Sequence, residues 1–317
     1  NATVAYESDY QFAVAPKPPI VQAVASDGKI TLYWDTSSEE SFDRYIANQT
    51  GDGYDFQGYK IYKTTDVSFE EINSITDGFG SPTFLSPVAT YDLQDGISGF
   101  DEIATNGVQF FLGKDTGLRH VYEDTDVING RTYYYAVTAF DRGFPAADIS
   151  PSESPVQISL NPDGTVSFGQ NVISIRPARE QAGYISPETP LASIAQGSPG
   201  GTVQVEIVDP GVLKVNNLYD VVFEDTLIEG GASPDTLKSK NYTLRNITSG
   251  TPDTLISRSE SLNGFFSPVV DGFQISVTNI SDFGLNPSRS GWAYQERPTP
   301  PHEYVFTIFG APKVSDY

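Results

Sequence analysis

The residues best suited to chemistry are acidic, and they crowd into positions 35–55, where Arg44 is the one base. Carboxylate oxygens in a loop can fold around calcium, which takes about six to eight oxygen ligands, backbone carbonyls included. A connection of this length usually has a functional reason. We therefore expect either a calcium site or, more simply, an acidic loop surrounded by water. The candidate calcium ligands are Asp35, Glu39, Asp43, Asp52 and Asp55.

Signals of catalysis are weak. The chain has two histidines, His120 and His302, and their spacing gives no reason to expect a catalytic triad or an imidazole metal cluster. Cysteine is absent, which excludes disulfides, thiolate metal sites and cysteine nucleophiles. No serine-hydrolase, zinc-protease, phosphate-loop or dinucleotide motif occurs. Carboxylate pairs for glycoside hydrolysis stay open because pairing is spatial, but we expect a protein without enzymatic activity.

Aromatic residues are numerous, with 18 Tyr, 19 Phe and 2 Trp. Exposed rings on a sheet can stack on sugars, whereas most rings in a β-protein belong to the core and to cross-strand pairs. We expect most of these rings to lie in the core or in cross-strand pairs. The candidates for an exposed interaction surface are Tyr134, Phe140, Trp292 and Tyr294.

Composition limits the classes of partner. The formal net charge of −22 repels phosphate backbones, so nucleic acid is not an expected partner. The charge suits simple solubility first, and also an extracellular setting, a salt-rich habitat or calcium. No stretch resembles a membrane span. With 317 residues, the chain is long enough for two domains. Since it has no methionine and no signal peptide, we expect a processed piece of a longer product.

One turn and strand, Asn129 to Asp141, organises the first domain. Strand side chains alternate between faces, so Tyr133, Tyr135 and Val137 share one face and Tyr134 and Phe140 lie on the other. We assign the first domain to residues 19–161. Its expected strands are 18–24, Lys29–Trp34, Phe56–Lys63, 83–91, Arg119–Asp124 and Pro155–Leu160, with one helical turn near 68–72.

Residues 1–18 carry apolar side chains at alternate positions, among them Val4, Tyr6, Phe12 and Val14, before a proline-rich end. The pattern predicts a strand of an upstream domain, or one that packs on this domain. The alternative is a strand donated to a neighbouring subunit, because an unpaired sheet edge accepts an added strand.

Residues 162–317 form the second predicted domain. Short strands separated by Gly, Pro, Asn and Asp predict an immunoglobulin-like sandwich instead of alternating strands and helices. The expected strands are Thr202–Val208, Leu218–Glu224, Tyr242–Ile247, Thr254–Arg258, Phe273–Asn279 and Glu303–Phe309.

The first domain resembles a fibronectin type III module. The resemblance is carried by Leu-Tyr-Trp-Asp at 32–35, Gly-Tyr-Lys-Ile-Tyr-Lys at 58–63, and Gly-Arg-Thr-Tyr-Tyr-Tyr-Ala-Val-Thr-Ala-Phe-Asp at 130–141. It places Trp34 in the core of the second strand, strand B, and Tyr133 in the tyrosine corner that opens strand F. The motif set is also similar to modules of large secreted proteins of Bacteroidota. It implies an all-β fold of two tandem sandwiches and an extracellular or cell-surface setting.

The triplet Asp-Thr-Leu recurs at residues 225, 235 and 253. It resembles the O-glycosylation signal of Bacteroidota, which implies glycans on Thr226, Thr236 and Thr254. A triplet this short also arises by chance, and threonine is an ordinary strand residue.

These observations favour a non-enzymatic structural or interaction segment of a secreted or surface bacterial protein, a building block of a filament, sheath, surface layer or adhesin. Its expected partners are copies of itself or other cell-surface proteins. The alternative is a carbohydrate-binding accessory module of a secreted hydrolase, with polysaccharide as its partner.

Overall fold

The computed structural model describes residues 13–69, 72, 74–76, 82–105, 107–163, 165–180, 182–196, 201–228, 236–278 and 303–307. The chain divides into two compact units, residues 1–180 and 181–317. Both consist mainly of antiparallel strands, which confirms the predicted all-β class. No helix of the described part is long and apolar enough to cross a membrane.

The first unit contains thirteen described strands, a short α-helix, α1, at Arg44–Thr50, and a 3₁₀ helix at Pro145–Ala147. The strands are β1 Val21–Ser26, β2 Lys29–Trp34, β3 Phe56–Thr64, β4 Ser74–Thr76, β5 Pro82–Leu85, β6 Ala89–Asp92, β7 Gly99–Thr105, β8 Val108–Gly113, β9 Val121–Asp124, β10 Tyr133–Asp141, β11 Ile158–Leu160, β12 Val166–Phe168 and β13 Val172–Ile175.

Two sheets form the sandwich of this unit, one with the order β1-β2-β9 and the other with the order β13-β10-β3-β6. Trp34, Tyr135 and Val137 are buried in the core between them, as predicted, together with Ile30 and Tyr59. Strand β2 has the bounds that the sequence predicts. The Asp27-Gly28 turn before it closes the β1–β2 hairpin, with Gly28 at φ 65°.

The strand beside β10 differs from the prediction. We expected residues 155–160 to close the sheet, but β13 occupies that place and pairs Tyr133 with Ile175 and Ala136 with Val172. Residues 158–160 instead pair with β12 as a separate hairpin. The unit therefore extends beyond residue 161.

The outer face of the β10–β3 sheet is covered. Phe69, Ile72 and the β11–β12 hairpin pack against Tyr62 and Ala136. Further along the sheet, Phe110 and Leu112 of the β7–β8 hairpin pack on Phe140. The extra residues of this domain thus form a second hydrophobic layer over a face that sequence alternation assigned to the outside.

Helix α1 was not predicted, although its two ends carry ordinary signals. Asp43 caps the first turn by accepting the backbone N–H groups of Tyr45 and Ile46, and Gly51 ends the helix at φ 82°. Ile46 is its buried residue. The short helix lies in the acidic connection between β2 and β3.

The second unit contains eight described strands. They form sheets of order β14-β21-β16-β17-β18 and β15-β20-β19. Tyr219, Tyr242 and Leu244 of one sheet meet Phe273 and Ile275 of the other in a single core. The strands are β14 Ser193–Gln196, β15 Thr202–Ile207, β16 Leu218–Ile228, β17 Thr236–Asn246, β18 Asp253–Ser259, β19 Asn263–Phe266, β20 Phe273–Thr278 and β21 Glu303–Thr307.

Candidate functional site

The acidic connection between β2 and β3 binds the segment that precedes β1. The backbone N–H of Val14 donates to Oδ2 of Asp43 at 2.6 Å, and that of Lys17 donates to Oγ of Ser41 at 2.9 Å. The N–H of Ile20 donates to Oδ1 of Asp35 at 2.9 Å. Residues 13–20, which we call the N-terminal segment, are therefore attached largely through side chains of the acidic connection.

Asp43 joins three pieces of this site. Its Oδ1 accepts the N–H groups that begin α1, its Oδ2 accepts the N-terminal segment, and its own N–H donates to the carbonyl of Gly53 at 2.8 Å. A side chain at position 53 would clash with the Asp43 carbonyl, since an added Cβ would lie 2.5 Å from it. The close approach requires glycine there.

Two further carboxyl groups are buried near Asp43. Burial, followed by the charges of Asp141 and Asp43, raises the pKa of Asp55 to about 7, against the opposing effects of a hydrogen bond from its own backbone and of Arg142. Burial also raises the pKa of Asp141 to about 6, although hydrogen bonds from Ser152 and Gly143 favour its charged form. Asp141 belongs to β10 and was missed in the sequence, because only the fold brings the end of that strand to this loop.

The five predicted calcium ligands do not gather into one site. Asp35 binds Ile20 and Ser37, and Oδ1 of Asp52 accepts the N–H of Tyr54 at 3.1 Å. Among the described residues, no group of three or more acidic or histidine side chains is arranged to hold a metal ion. Asp43 and Asp55 do come close, but Asp43 is occupied by backbone N–H donors.

An exposed aromatic pair lies beside these acids. The rings of Phe42 and Tyr54 meet edge to face, with centroids 5.2 Å apart, and the two residues are 53% and 57% exposed. Val14, bound to Asp43 through its backbone, is 65% exposed. We call Phe42 and Tyr54 the aromatic patch. These residues carry no signal in the sequence, because strand alternation does not mark aromatic residues of a loop as exposed.

No protein family model matches this chain, and no curated protein matches it significantly.

The predicted interaction residues are not exposed where they can be described. Phe140 was expected on the outer side of its strand, but it is 0% exposed because the β7–β8 hairpin covers it. Tyr134 is half-buried and packs on Phe168 of β12, with centroids 5.8 Å apart. Trp292 and Tyr294 lie outside the described residues.

The predicted glycan sites lie on strands of the second unit. Thr226 of β16 and Thr254 of β18 are exposed, as attachment of a glycan requires. Thr236 is the first residue of β17. Glycosylation at these positions stays a prediction.

His120 packs in the core of the first unit. Its Nε2 lies 2.6 Å from Oε1 of Glu39, which also accepts the Tyr59 hydroxyl at 3.0 Å. The imidazole packs against the rings of Trp34 and Tyr59, at centroid distances of 6.4 and 5.8 Å. Glu39, a predicted calcium ligand, is thus engaged in linking the connection to the core.

A buried ion pair lies on the covered face of the other sheet. Lys60 Nζ is 3.2 Å from Oε2 of Glu153 and 3.4 Å from the ring centroid of Phe110. The hydroxyls of Tyr62 and Thr138 donate to the other oxygen of Glu153, at 2.7 and 2.6 Å. Burial lowers the pKa of Lys60, against the opposing effect of Glu153. The pair fixes the chain after β10 to β3.

Proposed function

We propose that this chain is a non-enzymatic structural and interaction segment of a secreted or cell-surface bacterial protein, working in a filament, sheath, surface layer or adhesin. Its partners would be further copies of the chain or other surface proteins. Calcium and the Asp-Thr-Leu glycans remain separate proposals within this setting.

The fibronectin type III resemblance supports the proposed setting. The Tyr133 hydroxyl accepts the backbone N–H of Ile128 at 2.9 Å, five residues upstream, which is the contact a tyrosine corner makes. Trp34 is buried in the core of the same sandwich. Both observations are typical of such a module. Scaffolds of this kind serve many roles, so the fold does not by itself identify a function.

The observation that favours an interaction role is the aromatic patch. Exposed aromatic rings are enriched at protein interfaces, because they bury a large area with little loss of side-chain freedom. The patch lies where the N-terminal segment meets the acidic connection, so a partner bound there would contact two parts of the chain at once.

The test is the assembly state of the chain and of a Phe42→Ser/Tyr54→Ser variant, by light scattering after size exclusion and by electron microscopy. We expect the unaltered chain to form larger species as its concentration rises and the variant to remain smaller. Ile128→Ser is the matched control, because Ile128 is exposed but lies elsewhere on the unit. A chain that stays monomeric at every concentration and binds no cell surface would contradict the proposal.

The same aromatic patch favours the second candidate, a carbohydrate-binding accessory module, since rings of this kind stack on sugar faces. A glycan array separates the two functions. The carbohydrate module would be supported if the unaltered chain binds a polysaccharide and if this binding is lost in Tyr54→Ser and kept in Ile128→Ser. An array without any binding would favour the self-association function instead.

A further inference from the structure

The ion pair of Lys60 and Glu153 lies under a hydrophobic cover. The two side chains are 5% and 20% exposed. Lys60 Nζ lies 3.4 Å from the ring centroid of Phe110 and 4.9 Å from that of Phe140. Within the part of the chain that the structure describes, its one hydrogen bond goes to Oε2 of Glu153, at 3.2 Å. The lysine has therefore exchanged most of its water for aromatic rings and a single carboxylate.

These surroundings make an uncharged lysine accessible. Burial lowers the pKa of Lys60, and Glu153 opposes this effect. When one proton passes from the ammonium group to the carboxylate, two buried charges become a neutral amine and a neutral carboxyl group. A neutral lysine in an apolar site is a nucleophile. The rings attract the ammonium form, so the neutral pair is a minor state and reaction from it is slow.

The carboxyl group of Glu153 is held as an electrophile. Its Oε1 accepts the hydroxyls of Tyr62 at 2.7 Å and Thr138 at 2.6 Å, while Oε2 faces Lys60. Two hydroxyl donors on one oxygen polarise the carboxyl carbon, Cδ, and stabilise the negative charge that develops on that oxygen during attack. Burial raises the pKa of Tyr62, which keeps its hydroxyl proton in place. Strands β3 and β10 thus hold the amine and the two hydroxyl donors around one carboxyl group.

We propose that Lys60 and Glu153 form an intramolecular isopeptide bond after the chain has folded. The Nζ lone pair attacks Cδ of Glu153, and a bond forms between these two atoms. The bond from Cδ to Oε2 breaks, and Oε2 leaves as water with two of the three protons that the ammonium group carried. The third proton stays on the amide nitrogen. The step needs no oxidant or other co-reactant, and the ion pair is the state from which it starts.

The bond ties β3 to the chain after β10. Its two residues are 93 positions apart in the sequence, and Glu153 also forms an isolated β-bridge with Phe140. A covalent link across such a long loop reduces the freedom of the unfolded chain. Since the chain has no cysteine, the link gives the first unit a covalent brace of the kind that a disulfide gives other proteins. The proposal does not depend on the proposed function, because it concerns a bond within the first unit.

Intact-mass spectrometry of the full chain, unfolded just before measurement, tests the bond. We expect a species lighter than the sequence by one water, about 18 Da, whose fraction grows while the folded chain is kept at about pH 7. Digestion and fragment sequencing should then show one cross-linked peptide that contains Lys60 and Glu153. Lys63→Arg is the matched control and should react as the unaltered chain does, because Lys63 pairs with a different carboxylate, Oδ2 of Asp124, at 2.7 Å.

Two variants test the roles of the reacting groups, and near-ultraviolet circular dichroism checks that each is folded. Lys60→Met removes the nucleophile and should abolish the loss of water. Tyr62→Phe keeps the buried ring and removes one donor to Oε1, so the bond should form about ten-fold more slowly or less.

An unchanged mass after prolonged incubation of the folded chain would overturn the isopeptide bond. A loss of water that persists in Lys60→Met would overturn it too. The same holds if digestion places the loss in a succinimide at an Asp-Gly pair such as Asp95-Gly96.

Discussion

Asp55 and Tyr133 show how single atoms decide the behaviour of this fold. Both place side-chain oxygens inside the protein, but the Tyr133 hydroxyl has a partner, whereas Oδ2 of Asp55 has none in the part of the chain that the structure describes. Satisfied buried groups add about 1 kcal/mol, whereas unsatisfied ones cost about 1 to 3 kcal/mol. The two residues therefore make opposite contributions to the stability of the first unit.

The first prediction concerns the pH dependence of stability. Because the pKa of Asp55 is raised from 3.8 to about 7, the folded chain binds more protons than the unfolded chain between those values. Stability should therefore fall as pH rises from about 4 to about 7, by about 2 kcal/mol after the full shift is discounted for solvent screening. Urea unfolding followed by Trp34 fluorescence, in a Trp292→Phe background, measures this.

Asp55→Asn should flatten that dependence and make the first unit more stable than the unaltered chain at about pH 8. Glu123→Gln is the control, since Glu123 is a half-exposed partner of Lys29 and its loss should leave the slope unchanged. Stability that rises between pH 5 and pH 8 would show that Asp55 ionises freely in the fold.

The second prediction concerns the tyrosine corner. Tyr133→Phe keeps the buried ring and removes the acceptor of the Ile128 N–H, so the first unit should lose about 1 to 2 kcal/mol. Tyr54→Phe removes a hydroxyl from an exposed ring and should change stability little. Equal urea midpoints for Tyr133→Phe and the unaltered chain would mean that the hydroxyl bond is dispensable.

At the level of elements, the sequence predicted strands well where alternation and a turn signal agree. Lys29–Trp34 follows an Asp-Gly turn and was placed correctly. Residues 158–160 have an equally good strand pattern, yet β13 took their expected place beside β10. Alternation reports which residues can form a strand, but the choice of neighbour depends on contacts far apart in the chain.

The candidate site was predictable only in part, for the same reason. The acidic connection was found from its composition, and two of its five candidate ligands, Asp43 and Asp55, do lie in the buried cluster. Asp141 could not be assigned to it, because β10 places that residue there only after folding. Alternation also assigned Phe140 to an outer face, and the insertion that covers this face carries no signal of where it folds.

The third prediction tests the ion pair that joins β3 to the chain after β10. Glu153→Gln leaves the buried Lys60 charge without its counterion and should cost about 3 kcal/mol. Lys60→Met should cost less, because Glu153 keeps the Tyr62 and Thr138 hydroxyls as donors. Urea midpoints in the reverse order would mean that the carboxylate, and not the lysine, is the dispensable partner.

The whole molecule carries a large excess of negative charge, −22 over 317 residues. Like charges repel more strongly in the compact state than in the extended one, so folding works against this repulsion. Dissolved salt screens such interactions over about 8 to 10 Å at physiological strength. The charge therefore makes stability depend on the medium.

The fourth prediction is that stability rises with salt. Increasing sodium chloride from about 10 to about 150 mM should raise the urea midpoints of the chain, because screening weakens the repulsion. Potassium chloride at equal ionic strength is the control and should raise the urea midpoints by the same amount. A midpoint that falls with salt would mean that attractive ion pairs outweigh the net charge.

The attachment of the N-terminal segment also has a mechanical consequence. Its bonds to Asp43, Ser41 and Asp35 follow one another along the chain before β1 begins. A force that pulls on residue 13 away from the acidic connection would meet these bonds one at a time, so they would break in sequence at low force, as in unzipping. The segment would extend before tension reached the paired strands β1 and β2. Small forces would therefore lengthen the segment and leave the first sandwich intact.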